Sequence, residues 1–148
     1  MYPTAGRRNP VNRVGQWADR DGRWADGLGY REVVTQPTQI SEITADEANQ
    51  MVEGGAFLLD VREDDEWEAG HAPAAVHIPM GLISERVAEI PVDRTVVCVC
   101  RMGGRSGSVA TALQEAGFDV HNLDGGMTTW ELAGLPVVTA DGAPGQIV

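Results

Sequence analysis

Two continuous apolar runs constrain the fold of this chain more than any other feature. Residues 56–61 read Ala-Phe-Leu-Leu-Asp-Val, and residues 95–100 read Thr-Val-Val-Cys-Val-Cys. Apolar runs without alternation are typical of strands that are buried on both faces of a parallel sheet. Each run is followed by a segment with helical spacing, which indicates that strands and helices alternate along the chain.

Weaker signals extend this alternation over residues 39–138. Thr44 followed by Glu47 is a capping-box pattern that predicts a helix ending at Gly54. The other predicted elements are strands at 39–43, 75–78 and 118–123, and helices at 63–69, 82–90, 105–116 and 127–133. We therefore expect an α/β domain with a mainly parallel sheet that is covered by helices on both faces.

The carboxyl end of the second apolar run is the predicted functional site, because sites in parallel α/β sheets form at that edge. Cys100 ends the run, and Gly103-Gly104 follows in the loop before the next helix. Glycines allow a tight turn whose N–H groups point inward, and the helix N-terminus adds a positive field. Such a field lowers the pKa of a thiol, so Cys100 is predicted to be a nucleophile.

The loop also carries two arginines in an otherwise acidic region. Guanidinium groups hold oxyanions through paired hydrogen bonds, so Arg101 and Arg105 are expected to steer and hold an anionic substrate. The backbone N–H groups of the loop are expected to surround the reacting sulfur. The predicted substrate-binding residues are Arg101, Met102, Gly103, Gly104, Arg105 and Ser106.

A cysteine at the end of a buried strand can also be a small apolar core residue. Cys98 is predicted to be of that kind, since it precedes the loop. Cys100 differs because a strand end, two glycines, two arginines and a helix start meet there. The spacing of the two cysteines and three histidines does not match a zinc site, so no metal or other cofactor is expected.

Charge is distributed unevenly along the chain. The net charge of −11 disfavours nucleic acid as a partner. Residues 1–38 hold six arginines against four acidic residues, whereas residues 39–148 hold five arginines against eighteen. We expect this N-terminal extension to dock through Trp17, Trp24 and Tyr30 on the acidic domain, on a second copy in a homodimer, or on a partner. Residues 139–148 are expected to form a polar C-terminal tail.

Cellular setting is predicted from what the sequence contains. Two cysteines one residue apart are not a disulfide framework. Neither a membrane span nor a secretory signal is recognised, so association with a membrane is not expected. These features favour the cytoplasm, where a free thiol can react.

Further motifs accompany the cysteine loop. Asp60-Val61-Arg62 follows the first apolar run, residues 70–79 read Gly-His-Ala-Pro-Ala-Ala-Val-His-Ile-Pro, and residues 125–137 combine a Gly-Gly pair, a tryptophan and Gly-Leu-Pro-Val. In this order and spacing the motifs resemble the rhodanese homology family over residues 39–138. Ala72 and Ala74 replace the commoner isoleucine and glycine.

The resemblance implies a rhodanese-like three-layer domain with a sheet of about five mainly parallel strands. It also implies a thiosulfate sulfurtransferase in which Cys100 carries sulfur from thiosulfate or a persulfide to cyanide or a thiol. The expected partners are a small anionic sulfur donor and a protein that donates or accepts sulfur. Asp60, Arg62 and Glu66 are expected to form a supporting charge network.

Two alternatives stay open at this point. The first is a sulfur-carrier or regulatory module of the same family with little turnover alone. The second is a phosphatase or arsenate reductase of a related branch, whose loop between cysteine and arginine is one residue longer. Here four residues separate Cys100 from Arg105. The smaller ring of N–H groups suits a sulfane sulfur better than a tetrahedral phosphate.

Overall fold

The computed structural model describes residues 39–148 in full and, before them, the backbone of three two-residue strands. These are β1 (Trp17–Ala18), β2 (Trp24–Ala25) and β3 (Tyr30–Arg31), paired antiparallel in that order. The chain divides into two compact units, Met1–Thr38 and Gln39–Val148. The aromatic side chains through which the N-terminal extension is predicted to dock lie outside the described residues, so that prediction stays a prediction.

The larger unit is built on a sheet of five parallel strands. They are β4 (Ser41–Ile43), β5 (Phe57–Asp60), β6 (Val76–His77), β7 (Val96–Val99) and β8 (Val120–Leu123). Their order across the sheet is β4-β8-β7-β5-β6, and every pairing is parallel. The two apolar runs of the sequence therefore lie side by side as β5 and β7 near the centre. All residues of both strands are buried, as their composition predicts.

Helices connect the strands. They are α1 (Ala45–Glu53), α2 (Asp64–Ala69), α3 (Ile83–Arg86), α4 (Gly104–Glu115) and α5 (Gly126–Leu132). The predicted capping box of α1 is confirmed: Thr44 Oγ1 accepts from the Glu47 N–H, and the Glu47 carboxylate accepts from the Thr44 N–H. Within the described residues, no helix is both long and apolar enough to cross a membrane.

The core has one layer on each face of the sheet. On one face Leu59 and Cys98 pack with Val109 and Leu113 of α4. On the other, alternate strand residues such as Val97 pack with residues of α1 and α5. This arrangement confirms the predicted three-layer α/β domain and places Cys98 and Cys100 on the α4 side.

The segment predicted as one helix over residues 82–90 is divided. A 3₁₀ turn at Met80–Leu82 leads into α3, and a second 3₁₀ turn follows at Val87–Glu89. Pro91 disfavours helical dihedrals at Ile90, which is extended with φ −90° and ψ 121°. The short helix therefore tightens into 3₁₀ turns at both ends.

The C-terminal segment packs against the domain. Val138 and His71 exchange two backbone hydrogen bonds of 2.8 and 2.9 Å, and the Gln146 N–H donates to the carbonyl of Ala69 over 2.8 Å. Ile147 contacts the core layer on the side of α1 and α5. Residues 139–148, which the sequence predicts as a polar tail, thus include residues that pack against the domain.

Candidate active site

The Cys100 sulfur lies at the carboxyl end of β7 and receives several hydrogen bonds. The Gly103 N–H donates to Cys100 Sγ over 3.1 Å, and the Ser106 hydroxyl donates to the same sulfur over 3.3 Å. The N–H groups of Met102 and Ser106 also stabilise the sulfur. Cys100 is only 1% exposed, so the sulfur lies at the base of the loop with donors around it.

These hydrogen bonds outweigh the effect of burial on the thiol. Burial alone raises the pKa of Cys100, but the Ser106 hydroxyl and the three backbone N–H groups together hold that pKa below its ordinary value of 9.0. Cys98, two residues earlier, receives no such donors, and burial raises its pKa to about 12. The site therefore favours a thiolate at Cys100 and a neutral thiol at Cys98.

Gly103 gives the loop its shape. It is the N-cap of α4 and has φ 104°, in the left-handed region that favours glycine. This dihedral angle produces the tight turn that the two loop glycines predict. Gly104 is already the first residue of α4. The left-handed residue directs its N–H toward the sulfur while its carbonyl accepts from Asn122 Nδ2 over 3.0 Å.

The N-terminus of α5 supports the loop from behind. The Met127 N–H donates to the Cys100 carbonyl over 2.8 Å, and the Thr128 N–H and hydroxyl both donate to the Arg101 carbonyl over 3.0 Å. Because α5 satisfies the carbonyls on the outside of the loop, the N–H groups are free to point inward. A Cβ at Gly126 would lie 2.3 Å from the Cys100 carbonyl oxygen, so this close approach requires glycine.

Sequence reasoning missed three residues of this support: Gly126, Thr128 and Asn122. The Gly125-Gly126 pair was a usable signal, since it belongs to one of the motifs that carry the resemblance to the rhodanese family. Asn122 gave none, because its position in β8 looks like ordinary strand sequence. It is 2% exposed and also donates to the Glu42 carboxylate at 3.0 and 3.1 Å.

The two loop arginines have different surroundings. Arg101 is exposed at the rim of the loop. Arg105 is held by Glu66 of α2 through two hydrogen bonds of 2.7 Å, one from each terminal nitrogen. This bidentate pair lowers the pKa of Glu66 from 4.5 to about 2, against a smaller opposing effect of burial. The sequence predicts both arginines as substrate ligands, but Arg105 already has an anionic partner.

Asp60 and Arg62 form a buried pair beneath this contact. Both side chains are 0% exposed, and Arg62 Nη2 donates to Asp60 Oδ2 over 2.8 Å. Arg62 also donates to the carbonyls of Gly70, at 2.8 Å, and Glu66, at 3.3 Å. The pair thereby ties α2 to the carboxyl end of β5. The structure brings the three predicted supporting residues together in one charge network, with Glu66 reaching on to Arg105.

Two histidines stack on Trp67 of α2. The ring centroids of His71 and His77 lie 3.6 and 4.8 Å from Trp67, each with an interplanar angle of 6°. His71 Nδ1 bonds the Trp67 carbonyl at 2.9 Å, and His77 Nε2 bonds the Arg62 carbonyl at 2.7 Å. Both imidazoles are thus held in place against Trp67 of α2. Among the described residues, no cluster of His, Cys, Asp and Glu could hold a metal ion.

The fold and the site together define a class: parallel α/β domains that place a thiolate in a backbone N–H cradle between a strand and a helix. A family model described as the rhodanese-like domain matches residues 44–133. The sulfurtransferase of Allochromatium vinosum is 38% identical over 106 residues, which cover 70% of this chain and 99% of that protein. The thiosulfate sulfurtransferase GlpE of Pseudomonas syringae is 36% identical over 94 residues, which cover 63% and 89%.

A solved structure of a related protein has the same fold. The rhodanese-related protein of Thermoplasma volcanium aligns with a TM-score of 0.63 at 26% identity, over 66% of this chain and 97% of its own. The chain belongs to the rhodanese-like domain family. The relatives support sulfur transfer as its class of activity.

Proposed function

We propose that the protein moves sulfane sulfur from thiosulfate or a persulfide to a thiophilic acceptor through a persulfide on Cys100. The observation that carries this proposal is the cradle around Cys100 Sγ, where the Gly103 N–H and the Ser106 hydroxyl point at one sulfur. A group of donors that stabilises a thiolate suits equally the anionic outer sulfur of a persulfide.

The reaction has two half-reactions. In the first, the Cys100 thiolate attacks the outer sulfur of thiosulfate. A new S–S bond forms on Cys100, the S–S bond of thiosulfate breaks, and its electron pair leaves with sulfite. In the second, the acceptor attacks the outer sulfur of the persulfide. Cyanide leaves as thiocyanate, or a thiolate leaves as a new persulfide, and the Cys100 thiolate is restored.

The residues of the loop have different roles in this reaction. Met102, Gly103 and Ser106 stabilise the sulfur, and Gly104 begins the helix whose N-terminus faces it. Arg101, exposed at the rim, attracts the anionic donor. Because the sulfur is nearly buried, only a slim terminal sulfur atom of a donor reaches it. A free thiolate requires a reducing compartment, which we propose is the cytoplasm.

Loop size favours sulfur over phosphate. Four residues separate Cys100 from Arg105, and the N–H groups already lie within hydrogen-bonding distance of the cysteine sulfur itself. A phosphoryl group would need a wider ring to place three oxygens among the same donors. Hydrolysis of phosphate esters is therefore not the proposed activity.

An assay of thiocyanate formation from thiosulfate and cyanide tests the proposal. The unmodified protein and Cys98→Ser should form thiocyanate, whereas Cys100→Ser should form none, because Cys98 lacks the donors that stabilise a thiolate. Loading of Cys100 without turnover would favour the sulfur-carrier alternative. Equal activity in the two folded variants, or efficient hydrolysis of an aryl phosphate, would contradict the proposal.

A further inference from the structure

Glu66 occupies the guanidinium edge that Arg105 would otherwise offer to an anion. Its two carboxylate oxygens each accept a hydrogen bond of 2.7 Å from a different terminal nitrogen of Arg105. The two terminal nitrogens form one of the edges through which a guanidinium binds an oxyanion with two hydrogen bonds. An incoming donor therefore meets an arginine that already has this edge filled and its charge paired with a carboxylate.

The carboxylate is held in this position by its own surroundings. The Glu63 N–H donates to Glu66 Oε2 over 2.9 Å, and the buried Arg62 donates to the Glu66 carbonyl. Glu66 is 15% exposed and Arg105 36%, so the pair is only partly open to solvent. Several contacts must be lost together before an anion can replace Glu66.

The pair also changes the charge near the sulfur. Hydrogen bonding by Glu66 is the main cause that raises the pKa of Arg105, and the negative charges of Cys100 and Glu63 add to it. The Cys100 thiolate is thus near enough to interact with the guanidinium. Since Glu66 offsets the charge of Arg105, Arg101 is the loop arginine left to attract a donor. The surrounding residues 39–148 hold eighteen acidic residues against five arginines.

We propose that Glu66 is a specificity-determining positioning residue that, by holding and neutralising Arg105, makes the site favour singly charged sulfane donors over doubly charged ones. The proposal rests on the proposed sulfur transfer and names the donor class for it. A dianion such as thiosulfate interacts twice as strongly with the local charge as a monoanion of similar shape. The neutralised arginine therefore disadvantages thiosulfate most.

Two donors of similar shape measure this preference. Thiosulfate carries two negative charges. In methanethiosulfonate a methyl group stands in place of one oxygen atom, so this donor carries a single negative charge. In both reactions the Cys100 thiolate takes the outer sulfur as a persulfide. The electron pair of the broken S–S bond leaves with sulfite in one case and with methanesulfinate in the other. The ratio of the two kcat/KM values is the readout.

In Glu66→Gln, kcat/KM for thiosulfate should rise about threefold to tenfold, and kcat/KM for methanethiosulfonate by about the square root of that factor. The ratio therefore moves toward thiosulfate, mainly through KM. Glu66→Asp keeps the charge and should keep the ratio of the unmodified protein. Glu68→Gln removes an equal charge from an exposed residue of α2, and it should leave the ratio unchanged.

A purely structural role would lower kcat/KM for both donors by one factor, and an unchanged ratio in Glu66→Gln would overturn the proposal. Alkylation of Cys100 tests the same charge effect without sulfur transfer. Glu66→Gln should speed alkylation by anionic iodoacetate relative to neutral iodoacetamide. If that ratio rises while neither thiosulfonate nor thiosulfate loads Cys100, the charge effect stands and the proposed function fails. If it stays constant, the role of Glu66 is refuted.

Discussion

The Ser106 hydroxyl lies 3.3 Å from Cys100 Sγ, although five residues lie between the two along the chain. The left-handed Gly103 and the first turn of α4 bring the hydroxyl back to the sulfur. Of the groups that lower the pKa of Cys100, this hydroxyl has the largest effect. Ser106 is therefore a direct contributor to thiolate formation rather than only a helix residue.

Replacing Ser106 by alanine should raise the pKa of Cys100. Since the thiol is protonated below its pKa, the rising limb of alkylation rate against pH should move to higher pH. At neutral pH the rate should fall about tenfold or more, the effect of losing one hydrogen bond to a charged group. Iodoacetamide kinetics across pH measure this. Ser108→Ala is the control, because the exposed Ser108 hydroxyl bonds only the Gly104 carbonyl. A profile that does not move in Ser106→Ala would remove the hydroxyl from the account.

The two loop glycines should respond differently to valine. Gly103 has φ 104°, so Gly103→Val should cost about 1–3 kcal/mol of stability and lower sulfur transfer at least about tenfold, because the N–H cradle is distorted. Gly104 has no atom within 4 Å of a new Cβ, so Gly104→Val should change stability by only about 0.5 kcal/mol. Denaturant unfolding and thiosulfate turnover measure both. Equal effects at the two positions would contradict the assigned loop geometry.

Local signals in the sequence predicted the two buried strands β5 and β7 and the tight glycine turn that follows Cys100. The capping box at Thr44 and the apolar runs depend on near neighbours, so they can be recognised without the fold. The contact between Glu66 and Arg105 joins residues 39 positions apart. It exists because β5 and β7 are adjacent in the sheet, which places α2 beside the loop after β7. Strand order of this kind is a tertiary property that periodicity does not encode.

The support by α5 was missed for a related reason. Gly126 and Thr128 lie far from Cys100 in the chain, and their role depends on how closely two loops approach. The division of residues 80–90 into 3₁₀ turns was missed because helical spacing does not distinguish a short α-helix from tighter turns.

Loss of the buried guanidinium should destabilise the domain strongly. Arg62→Met leaves the Asp60 carboxylate buried without its charged partner, at a cost of about 3–5 kcal/mol. It also removes the bonds that hold α2. The exposed pair of Arg86 with Glu89 supplies the control, and Arg86→Met should change stability little. Thermal and denaturant unfolding compare the two. A similar small effect of both substitutions would show that the buried pair contributes nothing to stability.

Deleting residues 1–38 should leave thiosulfate turnover within a few-fold of the full chain. Among the described residues, the groups that donate hydrogen bonds to the Cys100 sulfur belong to residues 102–106. The deletion is expected to change the stability or the assembly of the protein instead. Steady-state turnover and size-exclusion chromatography of the two forms are the measurements. Lost turnover in a truncated protein that keeps its circular dichroism spectrum would show that the N-terminal extension reaches the site.

Mass spectrometry of Cys100 after incubation with thiosulfate detects the proposed persulfide itself. The peptide that contains Cys100 should gain the mass of one sulfur atom, and cyanide should remove it again. Burial raises the pKa of Cys98 to about 12, so this thiol stays protonated and does not attack the donor. The Cys98→Ser variant should therefore acquire sulfur on Cys100 as the unmodified protein does. The expected result is one cyanide-labile sulfur on Cys100. A folded protein that acquires no sulfur there, or acquires it on Cys98 instead, would contradict it.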